Sequence, residues 1–167
     1  MGTSVLRRRR WTAVVAVTAG IVGAALGGIV TKPARVGADE SPAAPVYLNA
    51  DPQTQSPYSD AVRVGSMLYL AGNLALDKDG KLVPGGITAE TDRTLQNLKA
   101  SLERNGSSMD RVVSCLAMLA DIRDRDAMND VYKKYWAPGH FPARSAFGTT
   151  GLYLGARVEI SCSAVVR

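Results

Sequence analysis

Two short apolar runs near residue 60 open the regular part of the chain. Ala61–Val64 and Met67–Leu70 are separated by Gly65-Ser66, a two-residue connection with glycine in its first position. Such a connection favours a type II′ hairpin, because glycine readily adopts the positive φ that this turn requires at its first central residue. The pattern therefore predicts that the fold opens with two paired strands.

A helical repeat of apolar and small residues follows the hairpin. Four of its positions fall on one face at helical spacing, namely Thr91, Leu95, Leu98 and Leu102. Asn105-Gly106 then provides a glycine C-terminal cap. We predict an amphipathic helix that begins with Thr88 as its N-cap and ends at this glycine.

The next segments predict a strand, a second helix and two more strands. Residues 111–120 are apolar and β-branched enough for a buried strand. Asp124 or Asp126 can start a helix that Pro138-Gly139 stops. The predicted buried side of that helix consists of Met128, Val131, Tyr132 and Tyr135. The resulting order of strands and helices indicates an α/β or α+β layer with both helices on one face of a single sheet.

The last two predicted strands carry the candidate chemistry. The segment His140-Phe141-Pro142-Ala143-Arg144-Ser145 places Arg144 where a loop becomes a strand, because proline biases the residue before it to an extended conformation. Polar and apolar residues alternate over positions 157–162, and this period of two places Glu159 in a sheet interior that is otherwise apolar. An arginine offers a planar fork for a substrate carboxylate and a half-buried glutamate offers a base, so the pair indicates a small-molecule site. The alternative is a structural ion pair at a solvated strand end.

The net charge of +5 belongs to the N-terminal part of the chain. Six of the 20 basic residues precede residue 39, whereas all 15 acidic residues lie at or beyond it, which leaves a net charge of −1 for the remainder. A nearly neutral domain lacks the basic surface expected of a nucleic-acid-binding protein. We therefore expect no nucleic-acid partner.

The N-terminal segment has the layout of an export signal. Four arginines at positions 7–10 precede an uncharged run, rich in Ala, Gly and Val, at residues 12–30. Val36-Gly37-Ala38 supplies small residues suited to signal peptidase, so we interpret residues 1–38 as a signal peptide cleaved before Asp39. The alternative is an uncleaved N-terminal membrane anchor, because the run is long enough to cross a bilayer. In either case we expect the domain to be exported, in the periplasm or secreted, with no other contact to a membrane.

Residues 39–55 read as a polar, proline-containing linker with at most a short strand at Val46–Leu48. Cys115 and Cys162 both fall in predicted strands, where one disulfide and two buried free thiols are equally compatible with the pattern. The cysteines and His140 do not form a metal-ligand pattern, and the chain has no phosphate-binding or dinucleotide motif. We therefore expect no metal and no organic cofactor.

The chain from about residue 56 to its end resembles the RidA family (YjgF/UK114), the reactive-intermediate deaminases. The matching segments, in order, are Ser56-Pro57-Tyr58-Ser59, Leu70-Ala71-Gly72-Asn73, Leu95-Gln96-Asn97-Leu98-Lys99, Met128-Asn129-Asp130-Val131-Tyr132, Phe141-Pro142-Ala143-Arg144-Ser145 and Val158-Glu159-Ile160. Among the departures, many members have Leu-Pro where this chain has Leu152-Tyr153. This departure alters the wall of the cleft but leaves Arg144 and Glu159 in place.

The resemblance implies a chorismate mutase-like α+β fold, with two helices packed on one face of a single mixed sheet, for residues 56–167. It also implies a homotrimer with a cleft at each subunit interface, and hydrolysis of 2-enamine and 2-imine acids such as 2-aminoacrylate to 2-keto acids and ammonia. On this resemblance Arg144 binds the substrate carboxylate and Glu159 positions or activates the attacking water. Tyr58, Gly72 and Asn129 line the cleft.

Two main functional hypotheses follow from the residues and the resemblance, and a third, the ribonuclease of older labels for the family, is disfavoured by the net charge of −1. The first is an exported imine and enamine deaminase, a hydrolase of carbon–nitrogen bonds other than peptide bonds. The second is a non-catalytic envelope protein that binds small amino or keto acids. Formation of keto acid and ammonia from a freshly generated imine distinguishes them.

Overall fold

The computed structural model describes residues 43–53 and 55–166. The predicted signal peptide, its alternative as a membrane anchor, and the first residues of the predicted linker lie outside these ranges. Within the described residues, no helix is long and apolar enough to cross a membrane.

The described chain folds into one six-stranded sheet and two α-helices. The elements are β1 Val46–Leu48, β2 Ala61–Val64, β3 Met67–Leu70, α1 Gly86–Arg104, β4 Val112–Leu119, α2 Arg125–Tyr132, β5 Ala143–Gly148 and β6 Val158–Val165. The strand order is β1-β2-β3-β6-β4-β5, in which β4 and β5 are parallel and the other neighbouring pairs are antiparallel. The prediction of a single mixed sheet is confirmed.

Both helices cover the same face of the sheet. The core between them and the strands contains Leu95 and Leu98 from α1, Met128 from α2, and Val158 and Ile160 from β6, all fully buried. Successive side chains of a strand point to opposite faces, so the intervening residues of β6 lie on the face that the helices leave open.

The hairpin and the strand boundaries match the sequence pattern closely. A type II′ turn requires a positive φ at its first central residue and a negative φ at its second. Gly65 has φ 57°, and Ser66 is not among the described residues with a positive φ, so both requirements are met. Val46–Leu48 is a strand that pairs with β2, so part of the segment predicted as a linker belongs to the sheet.

The predicted start of the first helix is wrong. Helix α1 begins at Gly86 and its N-cap residue is Gly85, so Thr88 lies inside the helix. Gly85 and Gly86 both have positive φ, and this turn brings the chain into the helix before Thr88 is reached. The predicted C-terminus is confirmed, because Asn105 is the C-cap and Gly106 follows with φ 79°.

The second helix has Asp124 at its N-cap position, but this side chain makes no capping hydrogen bond. Asp121 accepts a hydrogen bond from the backbone N–H of Arg123 instead, and so caps the short 3-10 turn Ile122–Asp124 that leads into α2. Met128, Val131 and Tyr132 are buried as predicted.

Cys115 and Cys162 form a disulfide between the neighbouring strands β4 and β6. The two residues are directly opposite each other in the register of β4 and β6, and their Cα atoms are 4.1 Å apart. The pairing is possible because the two residues share the helix-covered face at neighbouring positions.

Candidate active site

Glu159 is the second residue of β6 and lies on the open face of the sheet. It is half-buried, whereas its neighbours Val158 and Ile160 are fully buried beneath the helices. The prediction that Glu159 lies in the apolar interior of the sheet is therefore wrong. The alternation does identify a strand, but the apolar residues of β6 lie in the interior and Glu159 lies on the opposite, open face.

The Glu159 carboxylate lies directly against the backbone of Gly72. A Cβ added at Gly72 would come within 1.8 Å of Glu159 Oε1 and 2.7 Å of its Cδ. Real side chains cannot approach so closely, so this position accepts only glycine while the carboxylate keeps its place. Gly72 has no positive φ, so contact with the carboxylate, and not backbone conformation, is what favours glycine here.

The loop that carries Gly72 is fastened on both sides. Asn73 exchanges two backbone hydrogen bonds with Ile160, of 2.8 and 3.0 Å, which joins the loop to β6 next to Glu159. The Asn97 side chain on α1 donates to the carbonyl oxygens of Leu74 and Leu76, at 2.8 and 2.9 Å. These bonds explain what Asn97 does within its motif, because they hold Gly72 beneath the carboxylate.

The start of β6 is also held in place. The backbone N–H of Arg157 donates to Glu90 Oε2 on α1 at 2.7 Å, and Glu90 is buried. The Arg157 guanidinium makes two hydrogen bonds to Asp124 Oδ2, of 2.9 and 2.6 Å. Sequence reasoning missed both carboxylates, and they fix the backbone two residues before Glu159.

We call the cavity in front of this carboxylate the Glu159 cavity. It measures about 600 Å³ and is lined by Tyr58, Ala71, Gly72, Leu74, Tyr153 and Glu159. Three of the predicted site residues, Tyr58, Gly72 and Glu159, are therefore together. Among the described residues the Glu159 carboxylate has no hydrogen-bond or ion-pair partner, and the cavity lining contains no basic residue.

Arg144 lies in a second, separate site on the helix-covered face. It is the second residue of β5, as predicted, and it is directly opposite Cys115 in the register with β4. Its Nη2 donates to Asn129 Oδ1 at 2.5 Å, and its Cζ lies 4.3 Å from the centre of the Tyr132 ring. This cation–π contact and the amide fix the direction of the guanidinium.

We call this second site the Arg144 cavity. It measures about 380 Å³ and is lined by Asn129, Tyr132, Lys133, Phe141, Pro142 and Arg144. No carboxylate of the described chain pairs with Arg144, so the guanidinium is available to an anion. Burial raises the pKa of Tyr132 to about 12, although the positive charge of Arg144 acts in the opposite direction. Tyr132 therefore stays neutral beneath the arginine.

The structure divides the predicted site residues into two groups. Tyr58, Gly72 and Glu159 share one cavity, and Asn129 and Arg144 share the other. Glu159 and Arg144 do not form the ion pair that spacing alone allowed. Asn129, predicted to line the cleft, has a more specific position as the acceptor that orients Arg144. Within the described residues, no group of His, Cys, Asp and Glu side chains could hold a metal ion.

Sequence reasoning missed Tyr153 as a member of the site. It lies in a 3-10 turn, Tyr153–Gly155, just before β6, and its side chain is 69% exposed. An exposed aromatic residue in a loop that leads directly to the strand of a candidate base was a usable indication. In the sequence alone, Tyr153 stands out only as a departure from the family pattern.

Comparison with known proteins identifies the family. The family model described as Endoribonuclease L-PSP matches residues 48–166. The chain belongs to this family, which is the RidA/YjgF family that the motifs indicated. The family description names an endoribonuclease, whereas several curated relatives are named as deaminases.

A 2-iminobutanoate/2-iminopropanoate deaminase from goat (Capra hircus) is 43% identical over 115 residues, which are 68% of this chain and 83% of the goat protein. Protein HMF1 of Saccharomyces cerevisiae is 37% identical over 123 residues, or 74% of this chain and 95% of the yeast protein. The crystal structure of the yeast protein YEO7_yeast is similar with a TM-score of 0.69 and 35% identity, covering 74% of this chain and all of that one. Together with the mixed sheet and two helices described above, this likeness confirms the predicted fold.

Proposed function

We propose that the protein is a deaminase that hydrolyses 2-imino acids, and the enamines in equilibrium with them, to 2-keto acids and ammonia. The observation that carries this proposal is the carboxylate of Glu159, which faces a cavity and has no partner among the described residues. An unpartnered acceptor in a cavity suits the binding and deprotonation of a water molecule. The deaminase activity named for the goat relative agrees with it.

The reaction requires the protein to orient the substrate and a water molecule and to provide one proton acceptor. Starting from the protonated imine, Glu159 accepts a proton from water as the water oxygen bonds to the imine carbon, and the product is a carbinolamine. The same carboxyl group then returns that proton to nitrogen. The regenerated carboxylate takes the hydroxyl proton as the carbon–nitrogen bond breaks and passes it to the departing ammonia, so the keto acid and ammonium leave. An iminium carbon is already electrophilic, so a water molecule held close to it provides most of the rate acceleration. The reaction therefore needs no cofactor.

The substrate carboxylate needs a cation that the Glu159 cavity does not contain. Arg144 is the candidate, since its planar fork matches a carboxylate and Asn129 and Tyr132 fix its direction. It lies on the other face of the sheet, so Arg144 of a second subunit is proposed to complete the site. Each active site then contains Glu159, Gly72 and Tyr58 from one subunit and Arg144 and Asn129 from its neighbour.

A homotrimer is the assembly proposed to bring these groups together. The open face of the sheet carries several large apolar side chains, of which Tyr69, Val113 and Phe147 are between 43% and 49% exposed. The half-buried Leu116 and Met118 lie between them on β4. Serine side chains, among them Ser161 and Ser163 of β6, lie between these apolar groups. Exposed large apolar side chains grouped on one sheet face are typical of a surface that another subunit covers.

We further propose that the domain is exported and that residues 1–38 are removed or anchor it to the membrane. The disulfide between Cys115 and Cys162 supports this proposal, because structural disulfides form and persist in oxidising compartments. The charge division at residue 39 supports it independently.

The test is direct measurement of 2-keto acid and ammonia from an imine generated in situ, compared with the spontaneous rate. Wild-type protein is expected to accelerate the release of both products, and Glu159→Gln is expected to reduce this acceleration while keto-acid binding remains. A protein that binds keto acids but leaves the imine to hydrolyse at the spontaneous rate would be the non-catalytic envelope binder instead.

A further inference from the structure

Two exposed tyrosines face the same cavity from different loops. Tyr58 is 62% exposed and precedes β2, and Tyr153 is 69% exposed and precedes β6. Aromatic side chains of this size are normally buried to a greater extent, because they bring a large apolar surface. Both rings belong to the lining of the Glu159 cavity, so their exposed surface faces the space where substrate is proposed to bind.

The two rings are not in contact with each other. Tyr132 and Trp136 form the only aromatic pair in the part of the chain that the structure describes. The hydroxyl groups of Tyr58 and Tyr153 also have no hydrogen-bond partner among the described residues. Both rings are therefore free to contact a ligand, and Ala71 and Leu74 extend the apolar part of the same lining.

The backbone next to Tyr153 adopts an unusual conformation. Leu154 has φ 57° and ψ 14°, and it is the only residue other than glycine in the described chain with a positive φ. Gly155 follows with φ 74°, and the turn is closed by hydrogen bonds from Gly155 N to Leu152 O and from Ala156 N to Tyr153 O, each of 3.1 Å. A non-glycine residue in this region is energetically unfavourable, and such residues concentrate at functional sites.

Within one protomer the cavity is larger than a small imino acid requires, before the neighbouring subunit proposed above closes part of it. Its volume of about 600 Å³ lies within the range of about 300–1,000 Å³ typical of sites for much larger ligands. A methyl or ethyl group beside the imine carbon would leave the two tyrosine rings without a partner. A flat aromatic group could contact one or both rings by stacking or edge-to-face packing.

We propose that Tyr153, together with Tyr58, selects 2-imino acids with an aromatic side chain as the preferred substrates. This inference rests on the proposed function, since it places the imine carbon beside Glu159 and the substrate carboxylate on Arg144 of a neighbouring subunit. The side chain of the substrate then lies against the wall formed by Tyr58, Leu74 and Tyr153.

The test compares two imines made in situ by an amino-acid oxidase, one from phenylalanine and one from 2-aminobutyrate. Wild-type protein is expected to show a higher kcat/KM for the aromatic imine. Tyr153→Ala is expected to lower the ratio of the two kcat/KM values by about two- to tenfold, the range expected for one lost ring contact. Tyr153→Phe should keep the ratio, because the ring and not the hydroxyl makes the contact.

The matched control is Tyr47→Ala, because Tyr47 is also 69% exposed but lies on the edge strand β1, outside the cavity. This control should keep the wild-type ratio. Light scattering on each variant separates a change in selectivity from a loss of subunit association. A ratio unchanged in Tyr153→Ala, or a Tyr153→Ala protein that no longer assembles, would overturn the proposal.

Ligand protection distinguishes this inference from the proposed function. Phenylpyruvate is expected to raise the Tm of wild-type protein more than 2-oxobutanoate does, and Tyr153→Ala should remove the difference. If this preference is found in a protein that hydrolyses neither imine, the selectivity for aromatic ligands stands and the deaminase activity does not. If both imines are hydrolysed with equal kcat/KM and both keto acids protect equally, the activity stands and the selectivity does not.

Discussion

The side chains of Arg144 and Glu159 lie on opposite faces of the same sheet and line different cavities. Arg144 is opposite Cys115 on the helix-covered face, and Cys115 is opposite Cys162, three residues from Glu159 along β6. An odd separation along a strand reverses the face. One protomer therefore cannot place both groups on one small substrate.

Subunit complementation tests this shared site. Arg144→Ala and Glu159→Gln are each expected to have strongly reduced activity alone, but co-expression should restore part of the wild-type activity. In a randomly mixed ring, about one quarter of the interfaces would combine an intact Glu159 with an intact Arg144. The measurement is specific imine hydrolysis by the mixed assembly. Mixed assemblies as inactive as the separate variants would indicate that both groups act within one subunit.

Arg144 and Glu159 should fail in different ways. Arg144→Ala should lose keto-acid binding and turnover together, by about 2–5 kcal/mol, because the substrate carboxylate loses its partner. Arg144→Lys should recover only part of the binding and turnover, since an ammonium group cannot reproduce the planar fork of the guanidinium or its stacking on Tyr132. Glu159→Gln should lower kcat and leave keto-acid binding largely intact. Calorimetric titration with a keto acid and steady-state kinetics measure the two effects, and equal activity of Glu159→Gln and wild type would move the water-activating role to another group.

Gly72→Ala should displace the Glu159 carboxylate. The new Cβ would come within 1.8 Å of Oε1, so the carboxylate has to move. A displacement of about 1 Å at a reacting group can cost on the order of 100-fold in rate. Gly151→Ala is the matched control, because a Cβ there meets nothing within 4 Å and Gly151 has no positive φ. In a Glu159→Gln background, Gly72→Ala should cost little further activity, since the group it displaces is already disabled. Full additivity of the two losses would contradict this account.

The disulfide should contribute substantially to stability. It closes a loop with a sequence separation of 47 residues, for which chain-entropy reasoning gives about 4 kcal/mol. Urea denaturation of the double variant Cys115→Ala/Cys162→Ala, followed by circular dichroism, measures the loss. Reduction of the wild-type protein should lower the midpoint in the same direction and leave the double variant unchanged. A midpoint insensitive to reductant would show that the two thiols are not joined in solution.

Alkaline pH should destabilise the fold through Tyr132. Burial raises the pKa of this phenol from 10.0 to about 12, so the folded state favours the neutral form. The contribution of Tyr132 to the free energy of unfolding is fully present below pH about 10. It is lost as the pH rises toward 12, because the phenol of the unfolded chain ionises first. Ultraviolet titration should show a late phenolate step that is reduced in Tyr132→Phe. Tyr135, whose pKa burial also raises to about 12, should account for what remains of that step.

The sequence predicts the strands and helices, but it does not predict which face of the sheet a given side chain occupies. Alternation in β6 correctly identified a strand, yet alternation is symmetric and does not say which set of side chains meets the helices. Glu159 was therefore assigned to the interior, although Ile160 and Cys162 occupy it. The separation of Arg144 from Glu159 depends on strand order, which the local pattern of either strand does not contain.

The start of α1 and the contacts between residues distant in sequence are also not determined by the local sequence pattern. Thr88 is a good N-cap by residue type, but the turn at Gly85 and Gly86 decides where the helix begins. The cysteines were compatible with a disulfide or with free thiols until the register placed them opposite each other. Tyr153 had no motif of its own, and only the position of its turn beside Glu159 makes it part of the cavity.

Strand β6 is the last element in sequence, yet it lies between β3 and β4 in the middle of the sheet. The three preceding strands on one side, β1 to β3, and the β4–β5 pair on the other cannot join until β6 has been synthesised and inserted between them. A ribosome-bound chain that lacks β6 would expose two unpaired strand edges, the condition that favours aggregation or capture by chaperones. Completion of the sheet therefore waits for β6, and until this strand is available the β1–β3 strands and the β4–β5 pair remain two separate, incomplete sheets.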